Sequence, residues 1–79
     1  MEKLYERLMI AHEQYKVATT KTQFSNIWVE CNLIDQALDA ITLDKDEQQQ
    51  RQLRKLMLNR AEQLEKKARR RYNLVEPGI

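Results

Sequence analysis

The chain's only glycine and only proline stand side by side, at Pro77 and Gly78, so the sequence before them lacks both of the strongest turn-forming residues. A β-rich fold needs such residues at every reversal of the chain. The remaining sequence is dominated by Leu, Ala, Glu, Gln, Lys and Arg, the side chains that lose least freedom in a helix. The expected fold class is therefore all-α: a small antiparallel helical bundle. It is built from three helices, or from a long bent helix plus a second one, and homodimerisation is an open route to completing it.

The length permits one domain, because 79 residues bury only about 60–65% of the surface that the unfolded chain exposes. Residues 1–72 are read as that domain and 73–79 as a flexible tail. With 42% hydrophobic and 33% charged residues, the mixture is too apolar for a disordered chain and too polar for a membrane span. No apolar run approaches the length of a transmembrane helix or of a secretory signal core, and a cytoplasmic (intracellular) location is expected. The single cysteine, Cys31, excludes an internal disulfide and agrees with a reducing compartment.

Helical spacing places three segments. Over about 2–19, Leu4, Leu8, Ala11, Tyr15 and Ala18 recur at steps of three and four, with Tyr5 and His12 widening the stripe. Over about 23–42, Phe24, Ile27, Trp28, Cys31, Ile34, Leu38 and Ile41 repeat the pattern. Over about 46–72 the inner stripe is Leu53, Met57, Ala61, Leu64, Ala68 and Tyr72, with Leu56 beside it. Thr20 and Gln23 have capping-box spacing, and Asp44, three residues before Glu47, is the expected cap of the last helix. At 1.5 Å per residue the third helix is about 40 Å long, and its C-terminal turns are expected to overhang the bundle.

Charge is the unevenly distributed property. Residues 51–72 hold nine Arg or Lys against Glu62 and Glu65, a local charge of +7, whereas residues 1–50 carry −4. The run Lys66, Lys67, Arg69, Arg70 and Arg71 can neutralise phosphates, complement the helix dipole, or meet an acidic protein face. Sequence-specific DNA reading is not expected, because no glycine turn precedes the segment and only Tyr72 adjoins it as a base-stacking ring.

Catalytic groups are scarce. His12 is the only histidine, and Cys31 lies on the apolar stripe, where a free cysteine behaves as a small hydrophobe. His12 and Glu13 have no further ligand at metal-binding spacing, so neither a metal nor a cofactor is expected. Trp28 and Tyr15 occupy core positions of their stripes. Ile10, Val17, Val29 and Leu33 depart from those stripes, and together they hint at a second hydrophobic face.

The segment Arg60-Ala61-Glu62-Gln63-Leu64-Glu65-Lys66, together with the helix lengths, resembles the third helix of microtubule-interacting and trafficking domains. Those are three-helix bundles that bind peptide helices in a groove, so the resemblance implies the same bundle architecture. The first helix and first loop depart from that family's Ala-rich and Gly-Asn-Tyr-like features, and no binding residue carries over.

The residues alone point to a non-enzymatic protein–protein interaction module, a small regulator or inhibitor of a larger partner. Ile10, Val17, Val29 and Leu33 are its expected apolar contacts, with Arg69, Arg70 and Arg71 steering by charge. The alternative is a non-specific nucleic-acid-binding protein using Lys66, Lys67, Arg69, Arg70 and Arg71.

Overall fold

The computed structural model describes residues 1–75, and it contains α1 (Glu2–Val17), α2 (Lys21–Asp39) and α3 (Gln48–Leu74). The protein is an all-α, up-down-up bundle of three helices. Tyr15 near the end of α1 meets Phe24 near the start of α2, and Arg7 pairs with Glu30, so these two helices are antiparallel. Trp28 meets Tyr72 while Arg54 reaches Ile41, which makes α2 and α3 antiparallel as well. Helices α1 and α3 consequently run parallel. The α2–α3 pairing is the most extensive and the α1–α3 pairing the least.

The first break is made by threonine chemistry in place of a glycine. Ala18 is extended at φ −71° and ψ 138°, and its N–H reaches back to the Tyr15 carbonyl. Thr20 then caps α2: its Oγ1 accepts from the Gln23 N–H at 3.2 Å, and Gln23 Oε1 accepts from the Thr20 and Thr19 N–H groups at 3.0 and 2.8 Å. Three otherwise orphaned donors of the helix entrance are satisfied in this way. The single bent helix over the first two segments is thereby replaced by two separate helices, and α2 starts earlier than the expected residue 23.

The second connection differs from expectation. Helix α2 ends at Asp39, with the Ala40 N–H bonded to the Gln36 carbonyl, and α3 begins only at Gln48. Asp44 contributes no side-chain cap. Its carbonyl accepts from the Glu47 N–H at 3.1 Å, and Glu47 occupies the N-cap without a side-chain bond. Two arginines of α3 hold the loop instead: Arg54 Nη1 donates to the Ile41 carbonyl at 2.7 Å, and Arg51 Nη2 donates to the Leu43 carbonyl at 3.3 Å.

The core is formed by Leu8, Ala11 and Ala18, by Phe24, Ile27, Cys31, Ile34 and Leu38, and by Met57, Ala61, Leu64 and Ala68. Full burial of each large side chain contributes about 1.5–3 kcal/mol, and the alanines at 11, 61 and 68 leave room for the helix backbones to approach. No polar residue is fully buried among the described residues. Leu53, expected on the inner stripe, is 38% exposed, because the core of α3 begins one turn later at Met57.

The expected C-terminal overhang is reversed. Tyr72 packs against Trp28, Val75 packs against the core, and Lys21 Nζ lies 4.2 Å from the Tyr72 ring centre. The exposed turns of α3 are those at its start, Gln48 to Leu53. Asn73 and Leu74, expected in the tail, continue the helix, and the rest of that expected tail from residue 76 lies outside the described residues.

Candidate functional site

The four off-stripe aliphatics all lie on the outside of the bundle. Ile10 is 57% exposed, Val17 74%, Val29 47% and Leu33 48%. Their positions follow from helix geometry: seven residues return nearly to the same side of α1, and four residues return to the same side of α2. Ile10 and Val17 line one shallow concavity with Met9, Glu13 and Gln14. Val17 and Gln14 also border the α1–α2 cleft, of about 200 Å³, together with Gln23, Asn26 and Ile27. Val29 and Leu33 lie four residues apart on the outward side of α2 and line neither hollow.

The structure does not keep the basic run together as one patch. Lys66 pairs with Glu62 at 3.3 Å and Arg69 with Glu65 at 3.6 Å, each one turn back along α3. Arg69 also lies over the Trp28 ring at 5.3 Å, and Arg71 over the Phe24 ring at 5.5 Å, so both turn toward the aromatic end of α2. Lys67 faces the α1–α3 groove beside His12 and Arg60. Arg70 is exposed and has no ion pair among the described residues. Residues 66–71 are thus divided among several faces, as a 100° step per residue requires. That division is invisible to a count of charges along the sequence.

The groups with chemical potential are also separated. Cys31 is fully buried in α2, and desolvation followed by repulsion from Asp35, Glu65 and Glu30 pushes its thiol up to about 12. Such a thiol carries almost no thiolate at neutral pH. His12 lies in the α1–α3 groove, and its pKa is lowered first by burial and then by Lys67, Arg60 and Lys16. Among the described residues, no group of three or more His, Cys, Asp or Glu could hold a metal ion.

Sequence reasoning missed one polar feature of the α2–α3 seam. Asp35 has a buried carboxylate oxygen with no hydrogen-bond partner, and its pKa is raised by burial and then by Glu65, Asp39 and Glu62. Nearby, the side-chain amide of Asn32 faces the Glu65 carboxylate. The acidic neighbours of Asp35 on α3, Glu65 and Glu62, are set by the pairing of two helices and do not show in the spacing of one.

Compared with protein-family models, curated proteins and solved structures, the chain matches none. No helix among the described residues is long and apolar enough to cross a membrane.

Proposed function

We propose that the protein is a non-enzymatic interaction module that regulates or inhibits a larger protein partner by docking the outer face of α1 and α2. The observation supporting this reading most directly is the exposure of Ile10 and Val17 in one concavity of α1. Exposed apolar groups collected on one face gain by association, since covering them removes hydrocarbon from water. Val29 and Leu33 are two further exposed aliphatics, on the outward side of α2. Of the three arginines, Arg70 has no ion pair or ring contact among the described residues, while Arg69 and Arg71 lie over the Trp28 and Phe24 rings. A second copy of the chain is one partner that such a face could take.

The test is affinity capture from source-cell lysate at moderate salt, with sedimentation of the pure protein alongside. Ile10→Asp and Val17→Asp should retain the parent's helicity and lose the captured partner or the self-association. If both variants capture the same protein as the parent, this face is not the docking surface.

The nucleic-acid alternative, through Lys66, Lys67, Arg69, Arg70 and Arg71, draws less support because ion pairs and ring contacts occupy Lys66, Arg69 and Arg71. A gel shift at low salt that shows no DNA or RNA complex would eliminate it.

A further inference from the structure

The parallel pairing of α1 with α3 leaves a groove of about 330 Å³, whose lining includes His12, Glu13 and Lys16 from α1 and Arg60, Gln63 and Lys67 from α3. Most cations elsewhere in the fold are committed. Arg7 pairs with Glu30, Arg51 and Arg54 hold loop carbonyls, Lys66 and Arg69 pair within α3, and Lys21 and Arg71 lie over aromatic rings. Arg60 and Lys67 have no such partner among the described residues, yet they line one groove. Lys16 joins them from the other wall, bonded at 3.2 Å to Glu13 in an exposed pair that contributes little stability of its own. Three cations against one carboxylate leave the groove with a positive surplus.

The spacing of these charges defines what they suit. Arg60 and Lys67 are seven residues apart on α3, about 10 Å along its axis, a spacing that suits a ligand carrying more than one anionic group. We propose that the α1–α3 groove binds a chain of linked phosphate groups, with Arg60 and Lys67 engaging successive phosphates and Lys16 closing the opposite side. The groove is open to solvent and its volume is at the small end of ligand pockets, which admits a compact polyanion. No Phe, Tyr or Trp lines the groove to stack on a base, so recognition rests on the phosphates. A short free polyphosphate and the backbone of a single nucleic-acid strand share this chemistry. The site shares only Met9 and Glu13 with the apolar concavity of α1, so it stands or falls separately from the docking face.

As the only histidine, His12 provides the readout. Its ring faces Lys16 and Glu13 from its own helix and Arg60 and Lys67 from α3, and burial first, then the three cations, favour its neutral form. A bound polyanion offsets them, so His12 should titrate at higher pH when the groove is occupied. The experiment follows the His12 ring by proton NMR as inorganic triphosphate is added to the full chain. A saturable response with an upward shift in its titration is expected. Arg60→Gln combined with Lys67→Gln should weaken binding about tenfold or more, and should raise the His12 titration even without ligand. Lys45→Gln combined with Lys55→Gln removes the same charge elsewhere, and should change affinity less than about twofold. Circular dichroism verifies that each double variant keeps its helix content.

A short single-stranded oligonucleotide that displaces triphosphate assigns the source to a strand; one that does not assigns it to free polyphosphate. Either result requires the groove. An unsaturable response, equal loss in both double variants, or equally tight binding of a pentaglutamate peptide at the same residues would overturn the proposal.

Discussion

Tyr72 stands edge-on to Trp28, with ring centroids 5.0 Å apart and planes inclined by 73°. The contact joins the last turns of α3 to the first half of α2 and docks a helix end that spacing alone left projecting. Edge-to-face pairs contribute about 0.5–1.5 kcal/mol beyond the area they bury. Tyr72→Ala should therefore lower unfolding free energy by about 2 kcal/mol. Leu74→Ala, two residues further on and exposed, should stay within about 0.5 kcal/mol of the parent. Urea titrations of both variants check the difference, and equal effects would refute the docked arrangement.

The Thr20–Gln23 capping box separates α1 from α2 without help from glycine. Thr20→Ala should destabilise the fold by about 1 kcal/mol. Because Gln23 returns the bond to the Thr20 N–H, Gln23→Ala combined with Thr20→Ala should cost less than the two single changes added together. Amide hydrogen exchange at Gln23 should accelerate selectively in the Thr20 variant.

Asp35 makes stability depend on pH in an unusual direction. Its folded-state pKa is raised above the ordinary 3.8 by burial and by Glu65, Asp39 and Glu62, so the folded chain holds this proton to higher pH than the unfolded chain does. Stability from this group is present below 3.8 and is lost as pH rises through the folded value. Asp35→Asn removes the charge, and should raise the thermal midpoint by a few degrees at pH 7. The advantage should vanish at pH 3, where both carboxyl states are protonated. A thermal melt series from pH 3 to 7 with no convergence would contradict this account.

Cys31 should resist alkylation in the native protein at pH 8, since it is fully buried and its thiol is pushed up to about 12. Labelling should proceed only through opening of the bundle, at a rate that rises with urea. Cys31→Ala should cost about 1 kcal/mol, and Cys31→Ser should cost more because it buries a hydroxyl. Rapid native labelling by iodoacetamide would show that the α2 core is open.

The helical stripes of the sequence specify most of the core, since Leu8, Phe24, Ile34, Met57 and Leu64 follow from local periodicity. The Thr20 cap was legible for the same reason: its partners lie within four residues. The Asp44 cap failed because α2 stops at Asp39 and the loop is held by Arg51 and Arg54, whose bonds depend on how α3 folds back. Leu53 failed because the inner stripe extends past the level at which α2 provides cover. The exposed positions of Ile10, Val17, Val29 and Leu33 could be read from their departure from the stripes. The His12, Arg60 and Lys67 cluster could not, because it joins two parallel helices that are not consecutive in the chain. Arg69 and Arg71 likewise show their ring contacts only once α2 and α3 are paired.

Because Arg51 and Arg54 secure the connection behind them, α2 and α3 form a hairpin that carries its own fastening and most of its own packing. Helix α1 is the accessory to that hairpin. The α1–α3 groove is thus walled on one side by the helix least extensively packed against α3, so its shape depends on how α1 is seated on the hairpin.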